Sequence, residues 1–135
     1  MNDSNAVLVE LGKANYRSIL AQGGVVLVDC WASSCGACKE LGPVYAKVAE
    51  KNSQHTFAKL NTMSESELTS SLGVVHVPTL MLYRDGILLF KQAGNFDEDR
   101  LEDIIAQAEK LDMDVVRAEI ERQSSEARTR QANRP

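Results

Sequence analysis

Cys30, Cys35 and Cys38 stand within nine positions of one another and are the chain's three cysteines. An odd number bunched so closely is not how a structural disulfide framework is distributed, and in a reducing compartment it points to chemistry or to a metal. Cys35 and Cys38 lie in Trp31-Ala32-Ser33-Ser34-Cys35-Gly36-Ala37-Cys38-Lys39. With the first cysteine at a helix start, the two sulfurs fall within bridging reach, and Cys35 sits beside unpaired amide donors at the positive end of the helix. That setting favours thiolate over thiol, so Cys35 is expected to attack a substrate disulfide. Cys38, one turn deeper, is expected to be more buried and to resolve the mixed disulfide. The competing reading is half of a zinc site, because zinc takes four ligands and commonly draws two from such a pair. His55 and His76 lie far away in sequence without the second paired spacing of a zinc ribbon, so redox chemistry is preferred. A Cys–His hydrolase is disfavoured because the nucleophile already has a resolving cysteine beside it.

The elements needed to hold this pair are legible on either side. Val25 to Trp31 is almost continuously apolar and β-branched, the pattern of a strand buried on both faces. From Gly36, residues Leu41, Val44, Tyr45 and Val48 recur at helical spacing, with Pro43 expected to kink that helix. Val7–Leu11 and Thr56–Leu60 read as strands, and Lys13–Gln22 as a helix before Gly23-Gly24. Ser64 to Leu72 reads as a helix opened by a capping box, Ser64-Glu65-Ser66-Glu67. Thr79–Tyr83 and Ile87–Gln92 flank Asp85-Gly86, a hairpin signal, and Asp97 opens a last helix. The order β-α-β-α-β-α-β-β-α implies an α/β protein with a central mixed sheet flanked by helices on both faces.

A chain of 135 residues, 44% hydrophobic and 25% charged, is an ordinary globular composition. A net charge of -4 offers no cationic surface for nucleic acid. Met1–Asn5 lacks a basic region, and the longest apolar run, Val25–Val28, is far too short to cross a bilayer, so no membrane association and a cytoplasmic location are expected. Residues 1–110 are expected to form one domain. Leu101, Ile104, Ala108, Leu111 and Val115 keep helical spacing, which carries the final helix past the usual domain end into a charged extension, 111–135, helical and then disordered. The extension reads as a solvated face in preference to a dedicated partner-binding helix.

The stretch Val28-Asp29-Cys30-Trp31 followed by Cys35-Gly36-Ala37-Cys38-Lys39 and Pro43 resembles the active-site segment of thioredoxins. The similarity continues through Ala58-Lys59-Leu60-Asn61, Gly73-Val74, Val77-Pro78-Thr79, the Arg84-Asp85-Gly86 turn and Gly94, over roughly residues 7 to 109. The resemblance implies the thioredoxin fold and reduction of protein disulfides through Cys35 and Cys38, with no bound cofactor or metal. Oxidised proteins are the implied substrates, a thioredoxin reductase the implied electron donor and a monomer the implied state. By the same resemblance Asp29 matches a buried carboxylate that exchanges a proton with Cys38, its pKa raised by burial. Lys59 matches a lysine that approaches that carboxylate. Val77, Pro78 and Thr79 match a cis-proline loop that offers main-chain groups to substrate, Gly94 a glycine near this surface, and Trp31 a flanking aromatic; with Ser34, Gly36 and Ala37 they form the implied substrate face.

Three positions depart from the family pattern. Ser34 replaces a second tryptophan, and Ala37 replaces the proline between the cysteines, a change expected to make the disulfide somewhat less strongly reducing. Cys30 replaces a phenylalanine and is expected to be a small core residue. Ser34, Ala37 and the extension also motivate an alternative, a protein-interaction module whose dithiol is secondary; a more oxidising, isomerase-like protein is a third reading.

Overall fold

The computed structural model describes residues 7–133. The Met1–Asn5 segment and Arg134 of the extension lie outside the described residues. Along the chain come β1 (Leu8–Glu10), α1 (Tyr16–Ala21), β2 (Val25–Trp31), α2 (Gly36–Lys51), β3 (Thr56–Asn61) and α3 (Ser66–Ser71). They are followed by β4 (Thr79–Arg84), β5 (Ile87–Ala93), α4 (Glu98–Lys110) and α5 (Met113–Ala132). The sheet order is β1-β3-β2-β4-β5, with β1, β2 and β3 parallel and β4 and β5 antiparallel to their neighbours. The mixed sheet is the one expected.

Strand alternation divides the core in two. Val25 and Leu27 face Leu41, Tyr45 and Val48 of α2 and Leu101 and Ile105 of α4. Val26, Val28 and Cys30 face the other way, toward Leu20 of α1 and Leu68 of α3. β2 therefore needs apolar residues on both faces, which is why its sequence is nearly unbroken. At the β4–β5 turn Asp85 and Gly86 both have positive φ, 53° and 80°, the backbone that a two-residue hairpin matched to strand twist requires.

Pro43 lies inside α2, which runs from Gly36 to Lys51. Two local expectations need amendment. The capping box is absent: α3 starts one residue after Glu65, whose side chain makes no cap bond. Tertiary partners hold these carboxylates instead, since Glu65 Oε1 accepts the Lys13 N–H at 2.9 Å and Glu67 pairs with the Lys13 ammonium at 2.8 Å. The final helix is not continuous either. Leu111 is extended (φ -66°, ψ 137°), and Asp112 starts a new helix by accepting the N–H groups of Asp114 and Val115. The break is fixed from outside, because the Arg84 guanidinium donates to the carbonyls of Ala108 and Leu111, both at 2.7 Å. Beyond Met113, which is buried, α5 is almost wholly exposed and is helical to Ala132.

Candidate active site

The junction of β2 and α2 carries the dithiol. Cys35 has extended backbone (φ -93°, ψ 112°) and caps α2, so its sulfur receives the Cys38 N–H at 3.1 Å. A helix-terminal amide aimed at sulfur stabilises the anion. The two cysteines are joined as a disulfide with Cα atoms 5.2 Å apart. Cys38 is only 6% exposed, whereas Cys35 is half-buried. Ser34 and Gly36 beside it are exposed, and Ala37 is half-buried.

Asp29 lies on the α2 face of the sheet, by alternation from Val25 and Leu27, and its side chain is inaccessible to solvent. Neither carboxylate oxygen has a hydrogen-bond partner. The Lys59 ammonium stands 3.7 Å from Oδ2, near enough to attract the charge but outside hydrogen-bond range. Burial outweighs that attraction and pushes the Asp29 pKa from 3.8 up to about 6. Tyr45, buried on the same face, does not relieve the carboxylate, because its hydroxyl donates to the Ala58 carbonyl at 2.8 Å. Lys59 is the register partner of Asp29 across the parallel β2–β3 pair, which fixes their proximity. Its ammonium also lies over the Trp31 ring, 5.1 Å from the centroid, and the pair lines a groove of about 530 Å³ shared with Glu10, Asn61 and Glu65. Lys59, 27% exposed, thus reaches solvent where Asp29 does not.

The Val77–Pro78 bond is cis. Thr79 pairs with Cys30, so Pro78 lies next along, at the Trp31 end of β2. The Gly94 N–H donates to the Pro78 carbonyl at 2.9 Å, and Thr79 Oγ1 donates to the His76 carbonyl. Asp29, Trp31, Lys59, the two cysteines that open α2, the Val77–Thr79 loop and Gly94 therefore lie toward one end of the sheet. Cys30 does not join them. It is fully buried on the opposite face with Met81 Sδ 3.9 Å from its sulfur, and burial pushes its pKa up to about 12. His55 is held by Glu109 at 2.8 Å, far along the chain from the dithiol. Among the described residues no three His, Cys, Asp or Glu side chains are grouped so as to hold a metal ion, and no helix is long and apolar enough to cross a membrane.

Sequence reasoning missed Val75, 82% exposed on the loop before Pro78. A valine in the run Val74-Val75 reads as core, and only the loop's geometry reveals it as surface.

The thioredoxin family model matches residues 7–107. A Streptomyces coelicolor chain assigned as a thioredoxin 2 is 43% identical over 119 residues, covering 88% of this chain and 89% of that one. A mutant thioredoxin from Halobacterium salinarum superposes with a TM-score of 0.73 at 32% identity, over 83% of this chain and 99% of its own. A bifunctional thioredoxin reductase/thioredoxin of Mycobacterium leprae is 37% identical over 82 residues, 59% of this chain and 18% of that longer one. With its Cys35–Cys38 pair at the head of α2, the chain belongs to the thioredoxin family and is a protein thiol–disulfide oxidoreductase.

Proposed function

We propose that the chain reduces disulfides of cytoplasmic proteins, with Cys35 as nucleophile and Cys38 as resolving thiol. The observation that carries this is the asymmetry of the pair: a half-buried sulfur receiving a helix N–H, and a buried partner behind it. In the reduced protein the Cys35 thiolate attacks one sulfur of a substrate disulfide and expels the other as thiolate, giving a mixed disulfide. Cys38, losing its proton to Asp29, then attacks Cys35 Sγ; the second substrate thiolate leaves and the Cys35–Cys38 disulfide forms. Two electrons pass to the substrate. With a pKa near 6, Asp29 is largely ionised at neutral pH and still basic enough to take the proton. Lys59, 3.7 Å away, moderates that basicity and connects the site to solvent through the groove beside Trp31.

Trp31, Ser34, Gly36, Ala37, Val77, Pro78, Thr79 and Gly94 form the docking face for an extended substrate segment. The Mycobacterium leprae relative, named as reductase and thioredoxin in one chain, supports a thioredoxin reductase as electron donor. The chain works as a monomer in electron transport and redox homeostasis, and the 111–135 segment is a solvated extension of a domain ending near residue 110. Insulin reduction coupled to a thioredoxin reductase tests this reading. Turnover by the intact chain and none by Cys35→Ser is expected; failure of the intact chain would leave the interaction-module reading instead.

A further inference from the structure

The loop that carries Val77-Pro78 begins at the end of a very short helix. α3 spans six residues, too few to hold itself together without outside contacts. Its end closes with Gly73 at φ 67°, a left-handed position suited to glycine: the Gly73 N–H donates to Ser70 and the Val74 N–H to Thr69. That closure leaves the Leu72 and Gly73 carbonyls pointing outward. Both are taken by Lys91 of β5, whose ammonium donates to them at 2.9 and 2.8 Å. A cation at a helix C-terminus is favourably placed. Three residues farther along, one past the end of β5, the Gly94 N–H holds the Pro78 carbonyl at 2.9 Å. β5 and the residue that follows it therefore grip both ends of the loop 73–78, one by a lysine and one by a main-chain amide.

We propose that Lys91 is a positioning residue for protein substrates, setting the 73–78 loop against which the substrate segment docks while leaving the dithiol itself untouched. The inference rests on the docking role given to Val77 and Pro78 above. Lys91 is exposed and lies at the edge strand, on the α3 side of the sheet, opposite the face that carries Asp29. Its loss should thus leave the attack of Cys35 on a small disulfide unchanged and weaken only the contacts that a polypeptide makes with the loop.

The test compares full-length wild type, Lys91→Met, Lys91→Arg and Val77→Asp. For Lys91→Met the expected result is a KM for insulin raised about fivefold with kcat within about twofold, and faster amide exchange confined to residues 73–78. Its reaction with dithiobis-nitrobenzoate, too small to need the loop, should match wild type. Lys91→Arg should restore most of the KM, and Val77→Asp should raise it. Unchanged exchange and unchanged KM in Lys91→Met would overturn the clamp. Equal losses with protein and small disulfide would overturn it too, showing an effect on the dithiol. Faster exchange with normal KM in both Lys91→Met and Val77→Asp would instead sink the docking role of the loop, and the inference with it.

Discussion

The β2–α2 junction and α5 treat charge in opposite ways. At the β2–α2 junction a carboxylate is sealed from solvent with no hydrogen-bond partner, and its single attractive neighbour, Lys59, stands 3.7 Å away. Along α5 charges are abundant, exposed and answered mostly on the helix itself: Arg122 is bracketed by Glu119 and Glu126, Arg128 reaches Glu121, and Arg117 reaches Asp114 as well as Asp85 of the β4–β5 turn. The first arrangement costs stability and suits a group that exchanges a proton. The second costs nothing and contributes little, because exposed ion pairs are screened by water. The one region leaves its electrostatics unsatisfied beside the dithiol, and the other satisfies it in solvent.

Substitutions in the two regions should separate by orders of magnitude. Cys35→Ser is expected to lower protein-disulfide turnover by at least about a thousandfold, since it removes the attacking sulfur; measurable turnover through Cys38 or Cys30 would break the assignment. Asp29→Asn comes next, and its effects have opposite signs. The folded pKa is raised from 3.8 to about 6, so the folded state binds the proton more tightly. Stability is therefore greatest below about pH 4, falls as pH rises toward about 6, and carries the full penalty above that. Asp29→Asn should gain up to about 3 kcal/mol in denaturant unfolding of the oxidised protein at pH 8 and flatten that pH dependence. The same change should slow resolution of the mixed disulfide about tenfold. A variant no more stable than wild type at pH 8 would show that the carboxylate is better solvated than its burial implies.

Arg84→Ala is a smaller perturbation between the two regions. It strips donors from the carbonyls of Ala108 and Leu111 and should cost about 1 kcal/mol in unfolding, with partial recovery in Arg84→Lys. Smallest of all is α5. Arg122→Ala should leave the unfolding midpoint where it was, and removal of residues 112–135 should leave insulin turnover unchanged. A loss of activity on that truncation would give the extension a part in substrate or partner binding.

The sequence was informative where one physical constraint dominates. A strand buried on both faces must be apolar throughout, so β2 was legible, and a lone Asp inside it stood out as costly. Alternation along β2 then explains what spacing could not: Asp29 and Cys30 are adjacent yet serve opposite faces, one beneath α2 and one in an apolar core with Met81. The turn at Asp85-Gly86 was legible because its backbone admits few residues. The misread features depend on partners distant in the chain. Ser64–Glu67 has the letters of a capping box, but Lys13, more than fifty positions earlier, holds Glu65 and Glu67 instead. The helical stripe through Leu111 runs on in sequence, whereas Arg84 and Asp112 divide it in space. The Lys91 contact with Leu72 and Gly73 belongs to the same class, since nothing local in either segment announces it.

The central claim, that Cys35 attacks and Cys38 resolves, is tested most directly by trapping. A Cys38→Ser chain, reduced and mixed with an oxidised protein substrate, should accumulate a stable mixed disulfide that peptide mass mapping places on Cys35. A Cys35→Ser chain treated alike should accumulate none. An intermediate on Cys38 or Cys30, or no intermediate from the Cys38→Ser chain, would contradict the account.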